Sequence, residues 1–309
     1  MKTVFMFSGQ GAQYMGMGKE LYENFECAKE VFDRADEVLG FSIKDMCFEN
    51  REELDKTENT QPAILTVSTA CLKVLEEKGI KPDYVAGLSL GEYSAHVASG
   101  SISFDDAVAL VKKRGKYMTE AVPFGVGGMY AIMGLDRETV LECCKEASDI
   151  GYVAPANYNA PGQIVIAGVK EAVFKASEIA KEKGAKLTVE LNVSGPFHTE
   201  LLKPASEKLA KELENIEFKN MEIPVITNVT GNVIENNEDI KPLLIKQVMS
   251  PVKWEDTIKT LESLGVDTFI EVGPGKALSG FVKRTLKGVT ILNVEDMKSL
   301  EKTLSKLNV

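Results

Sequence analysis

The chain has 309 residues, 44% of them hydrophobic and 27% charged, which excludes disorder and allows one large domain or two of unequal size. A net charge of −10 argues against general nucleic-acid binding through phosphate neutralisation. No apolar run reaches the roughly 18 residues of a membrane span, and five scattered cysteines with two histidines point away from a Cys/His zinc site and towards a reducing cytoplasm.

The start, "MKTVFMFSGQ", runs into a glycine loop rather than a small-residue cleavage site, so "TVFMFS" (3–8) reads as a first strand, not a signal peptide. An amphipathic stretch follows near 18–39. "PAILTVSTACLKVLEEKG" (62–79) has helical periodicity and stops on glycine, "YVAGLS" (84–89) is a short strand, and 106–121 reads as another helix. From 125 the pattern changes. A glycine-rich hinge leads to a strand (125–135), a helix (136–148), two short strands (152–168), a helix (170–183) and a strand (185–193). This β-α-β-β-α-β order is ferredoxin-like. Late in the chain, "IPVITNVTG" (223–231) and "DTFIEVGPG" (267–275) read as buried strands stopped by glycine. The expected fold is therefore α/β: a hydrolase-like core with a mostly parallel sheet, plus a small inserted ferredoxin-like α+β domain. The larger domain is expected over 1–125 and 194–309, and the small one over 126–193. No internal repeat and no low-complexity segment is apparent.

"GLSLGEYSAH" (87–96) has Gly-x-Ser-x-Gly between a strand and a helix pattern, the context of a nucleophile elbow. Two readings stand at this point: Ser89 as nucleophile, or Ser89 as a helix N-cap. A nucleophilic serine needs a base, and only His96 and His198 are available. On one helix, His96 lies about 10 Å along the axis from Ser89 at about 1.5 Å per residue, so it reads as packing. His198 sits in "NVSGPFHTELLKP" (192–204), where the chain returns from the inserted domain, a natural place for a cleft. Acidic residues are too numerous for one to be singled out as a third member. Two glycine loops are decoys. A dinucleotide fingerprint from Gly9 requires glycine at 14, where Tyr14 stands, and a phosphate loop ending in Gly275-Lys276 requires glycine at 270, where Ile270 stands. Both read as tight turns that bring backbone amides to a shared cleft.

Seven motifs occur in one order: "FSGQGAQ" (7–13), "TQPA" (60–63), "GLSLGEY" (87–93), "KRGKYM" (113–118), "NYNAPGQIVIAG" (157–168), "GPFH" (195–198) and "EVGPG" (271–275). Together they resemble the malonyl-CoA:acyl carrier protein transacylase family over essentially the whole chain. The resemblance implies an acyltransferase working by ping-pong transfer. Ser89 attacks malonyl-CoA, and the serine ester passes malonyl to the phosphopantetheine thiol of acyl carrier protein, with His198 as general base and then acid. It implies an oxyanion hole at the amides of Gln10 and Leu90, and a backbone carbonyl at Gln247 orienting His198. It implies Arg114 as the clamp on the malonyl carboxylate, a residue that otherwise reads as part of a solvated basic run. It also places Phe197 and Gln61 at the acyl pocket. Two departures are visible: Leu88 stands where the family usually has histidine, and Ser8 where proline is common.

The resulting expectation is a cytoplasmic transferase of fatty-acid synthesis, monomeric, with no cofactor, no metal, no nucleic acid and no membrane. Malonyl-CoA and acyl carrier protein are its partners. A stand-alone acyltransferase serving a polyketide synthase is the alternative, and a non-catalytic scaffold is disfavoured by the intact Ser89, His198 and Arg114. Because the carrier protein is itself acidic in this family, docking calls for a local basic surface, with Lys112, Lys113, Lys116, Lys276, Lys283 and Arg284 as candidates.

Overall fold

The computed structural model describes residues 1–123, 125–193 and 195–309. Ser194, the first residue of the expected second segment of the larger domain, lies outside the described residues. A five-stranded parallel sheet is formed by β1 (Thr3–Phe7), β2 (Tyr84–Gly87), β7 (Val225–Ile226), β8 (Thr268–Val272) and β9 (Thr290–Val294), in the order β7-β2-β1-β8-β9. Every residue of β1 is buried, as expected for a strand covered on both faces. Its period of two separates two cores. Phe5 and Phe7 point into the larger one, against helices Glu26–Leu39, Thr57–Glu77 and Phe104–Glu120. Val4 and Met6 point into the other, with Trp254 and Ile258 of helix Trp254–Ser263 and Leu278 and Val282 of helix Ala277–Thr285.

The middle segment forms a separate antiparallel sheet of β3 (Gly127–Met133), β4 (Val153–Ala160), β5 (Gln163–Val169) and β6 (Leu187–Glu190), in the order β4-β5-β3-β6. Helices Arg137–Ala147 and Lys170–Glu182 connect these strands, completing the β-α-β-β-α-β order. Both helices pack on one face through Val140, Cys144, Val173 and Ala176. On the other face Met129, Ala156, Val165 and Ala167 join the core of the parallel sheet. The two sheets are also stitched through β4: Tyr158 N–H donates to Val252 O at 2.9 Å, and Val252 N–H donates to Ala156 O at 2.8 Å.

Several elements differ from the sequence expectation. The stretch near 18–39 breaks at Phe25, whose backbone is extended, into helices Lys19–Asn24 and Glu26–Leu39. The helix expected from 62 starts at Thr57, so Pro62 and the functional candidate Gln61 lie inside it, against the local preference of a residue preceding proline. The expected strand 223–231 shortens to Val225–Ile226, because Thr227–Gly231 closes into a turn with Gly231 N–H donating to Thr227 O. Among the described residues no helix is long and apolar enough to cross a membrane.

The parallel sheet and the elbow helix meet almost backbone to backbone. A Cβ on Gly91 would lie 2.0 Å from Phe7 O, at the end of β1, so no side chain fits there. Gly91→Ala is expected to lower folding stability by about 3 kcal/mol through overpacking. Gly280→Ala, in a helix position open to space, is expected to raise it by about 0.5 kcal/mol. Urea midpoints of the two variants test the contrast.

Candidate active site

Strand β2 ends at Gly87 and helix Gly91–Ala98 begins four residues later, so the chain must reverse in one tight step. Ser89 makes that step at φ 54, in the left-handed region that a residue with a Cβ seldom adopts. Gly87 flanks it for steric reasons, since a Cβ there would lie 1.9 Å from the Gly91 carbonyl carbon. Asn228, in the turn after β7, clamps the elbow from both sides. Its Oδ1 accepts from Ser89 N–H at 2.6 Å and its Nδ2 donates to Gly87 O at 2.6 Å.

Ser89 Oγ lies 2.7 Å from His198 Nε2. His198 is also left-handed, at φ 61, which turns its ring from the start of the return segment towards the serine. Its Nδ1 is 3.0 Å from Gln247 O. A carbonyl only accepts, so Nδ1 carries the proton and Nε2 presents its lone pair to the serine hydroxyl. Burial, with the Arg114 charge beside it, pulls the imidazole down to about 4, against the opposing pull of the Gln247 carbonyl. The imidazole is therefore neutral at neutral pH, with Nε2 able to accept a proton.

Arg114 is almost fully buried. Nη1 donates to Gln61 Oε1 at 2.8 Å, and Nη2 to Gln247 Oε1 at 3.0 Å and Ser89 Oγ at 3.1 Å. The Tyr93 ring lies 5.2 Å from its Cζ. Among the described residues no carboxylate forms an ion pair with it. The guanidinium is a desolvated cation held by neutral acceptors beside the nucleophile, an environment that favours an incoming anion. It does not belong to the solvated basic run around it. Lys112, Lys113 and Lys116 pair with Glu58, Glu212 and Glu120, and Lys276 with Glu295. Lys283 and Arg284 form no ion pair among the described residues.

The amides of Gln10 and Leu90 have no acceptor among the described residues, and the Gln10 side chain is held aside by donating to Thr57 Oγ1 at 3.0 Å. Leu90 precedes the first residue of the elbow helix, so its N–H belongs to the positive end of that helix. A cavity of about 800 Å³ opens over this group, bounded by both glycine loops, Leu88, Phe197 and, from the small sheet, Met129 and Asn157. The two loops thus share one cleft. Leu88 turns an aliphatic side chain to that cleft and to the second core. His96 lies outside it, fully buried, with Nδ1 2.9 Å from Ser101 Oγ, and burial alone pulls it down to about 3. No cluster of His, Cys, Asp or Glu is placed to hold a metal ion among the described residues.

Two residues of this site were not anticipated. Asn228 was hidden in an apparent strand. Glu92, three positions after Ser89, is fully buried, and its Oε2 accepts from Asn228 N–H at 3.0 Å and Gln247 Nε2 at 2.7 Å. Burial pushes its carboxyl up to about 7, against these hydrogen bonds. The available signal was an acidic residue in the first turn of an otherwise uncharged helix, "GEYSAHVA".

A base that must be neutral loses activity as pH falls through its pKa. The acid limb of kcat/KM is therefore expected nearer pH 4 than 6.5, since burial depresses His198. A pH–rate profile of acyl transfer checks this, and a midpoint at or above 6.5 contradicts it.

Residues 4–303 match the family described as acyl transferase domain. The chain is 50% identical to a malonyl CoA-acyl carrier protein transacylase of Bacillus subtilis (strain 168), over 99% of this chain and 97% of that one. It is 43% identical to the protein of that name from Haemophilus influenzae, over 96% of each. The crystal structure of a malonyl CoA-acyl carrier protein transacylase from Clostridium perfringens superposes with a TM-score of 0.97 at 52% identity, covering 100% of this chain and 98% of that one. A malonyl-transacylase solved in complex with a type II polyketide acyl-carrier protein superposes at 0.96 with 42% identity, covering 99% of this chain and 100% of that one.

Proposed function

As the chain belongs to the acyl transferase family, we infer that it moves malonyl from malonyl-CoA to the phosphopantetheine thiol of acyl carrier protein, supplying fatty-acid chain extension. Ser89 Oγ attacks the thioester carbonyl while His198 Nε2 takes the hydroxyl proton. The Gln10 and Leu90 amides receive the oxyanion. Collapse of the tetrahedral intermediate breaks the C–S bond, and the His198 imidazolium returns the proton to the departing CoA sulfur. The carrier thiol then gives its proton to His198 and attacks the ester. Ser89 leaves with the proton returned, so the enzyme is regenerated and no cofactor beyond the substrates' own phosphopantetheine arms is required. Gln247 O keeps His198 in the right tautomer through both halves. Phe197 and Gln61 shape the acyl end of the cavity.

The observation that carries this reading is Arg114. A buried guanidinium 3.1 Å from the nucleophile serves an acyl group that bears its own carboxylate. Phe281, at the cavity, shares one helix with Lys283 and Arg284, which form no ion pair among the described residues, and this makes the helix the basic surface best placed for an acidic carrier protein. The five free cysteines fit a cytoplasmic setting. Service to a polyketide synthase, favoured only by the complex with a polyketide carrier protein, predicts faster transfer to such a carrier than to a fatty-acid one.

Incubation with malonyl-CoA is expected to add one malonyl mass to the peptide containing Ser89. Absence of the adduct, or its survival in Ser89→Ala, refutes the mechanism. Arg114→Ala is expected to lower kcat/KM for malonyl-CoA by about 100-fold or more, since a charge-assisted clamp is lost, while acetyl-CoA use falls far less. Equal losses for the two thioesters rule out the clamp.

A further inference from the structure

We propose that Glu92 is a positioning residue for acyl transfer: its buried carboxyl holds the main chain of Asn228 and the side chain of Gln247, and through them sets nucleophile and base against each other. The proposal rests on the transacylase reading above.

Glu92 Oε2 is the common acceptor of two arms. One arm is Asn228, which clamps Ser89 N–H and Gly87 O. The other is Gln247, whose Nε2 also donates to Ser89 O at 2.9 Å and whose carbonyl faces His198 Nδ1. Both Nε2 protons of Gln247 are thus committed, and its Oε1 faces Arg114 Nη2. A flipped amide would set two acceptors against its oxygen and a cation against its NH₂, so the network admits one orientation.

Ser89 and His198 both hold left-handed backbones, which are unfavourable for residues with a Cβ. Two hydrogen bonds to a charged or partly charged acceptor offset that strain. Removing the acceptor leaves two buried donors unpaired and lets the strained pair relax. Stability by itself does not call for a carboxyl here. Burying one is unfavourable, and among the described residues Glu92 Oε1 has no partner within hydrogen-bond geometry. An apolar residue of similar size would fill the space without a buried charge, but it would not hold the two arms.

The test compares wild type, Glu92→Leu, Glu92→Met, Glu92→Gln and Asn228→Ala in malonyl transfer to holo carrier protein, with thermal midpoints alongside. Glu92→Gln keeps a carbonyl acceptor at the Oε2 position. Glu92→Leu is expected to lower kcat about 100-fold with KM for malonyl-CoA within about 3-fold, because the reacting groups shift while the Arg114 clamp stays. Glu92→Gln is expected to recover to within about 5-fold of wild type. Asn228→Ala, which removes the clamp on Ser89 but keeps the N–H to Glu92, should show the same split between kcat and KM, and Glu92→Met, which likewise lacks the acceptor, decides the matter if Glu92→Leu does not fold. Wild-type kcat in folded Glu92→Leu overturns the proposal. So does a Glu92→Gln variant that folds but is crippled, since the charge rather than the acceptor would then be the requirement. A wild-type protein that never malonylates Ser89 instead defeats the transacylase reading, a result separable from either of these.

Discussion

Four hydrogen bonds at Gln247 tie the reacting groups to one another. Its carbonyl faces the His198 ring, its Nε2 reaches the Ser89 carbonyl and Glu92, and its Oε1 receives Arg114. The partners come from three separate stretches of chain, the elbow with Ser89 and Glu92, the helix of Arg114 and the return segment of His198, so this residue joins separate elements into one arrangement. The base is oriented by a neutral carbonyl rather than by a carboxylate, and the consequence is electrostatic. Among the described residues the His198 ring has no carboxylate partner, and the buried Arg114 is likewise free of a carboxylate contact.

Two buried ionisable side chains of opposite sign, Arg114 and Glu92, therefore approach the same amide without forming an ion pair. Desolvation disfavours both charges, lowering the proton affinity of the guanidinium and raising that of the carboxyl. Direct pairing would relieve both and silence the site. Separation by Gln247 leaves the cation unpaired beside Ser89 Oγ and the carboxyl available to the backbone around the elbow.

The placement of this chemistry follows from topology. Ser89 and the Gln10 loop lie at the carboxyl ends of adjacent parallel strands, β2 and β1, where an open α/β sheet leaves its crevice. The antiparallel sheet closes the other side with Met129 and Asn157 on the face turned towards the larger core. The crowding of Gly91 against Phe7 O is what brings the two loops close enough for their amides to face one cavity.

Much of the architecture was legible in the sequence because it depends on local patterns. The short apolar run of β1, helical periodicity after it and the β-α-β-β-α-β order in the middle were readable directly. Helix geometry was enough to separate His96 from Ser89. Pattern reading failed where a distant contact overrides a local preference: Pro62 inside a helix, and the apparent strand at 223–231 that turns to deliver Asn228. It also could not tell Arg114 from its lysine neighbours, because residues in one helix share composition but not burial. Motif order pointed to Ser89, His198 and Arg114 as a set. The sequence by itself determined which side chains are present and which local bends their glycines permit. Only the tertiary structure decided that Glu92 and Asn228 join them and which way the Gln247 amide faces, since hydrogen-bond partners more than 130 positions apart leave no local trace.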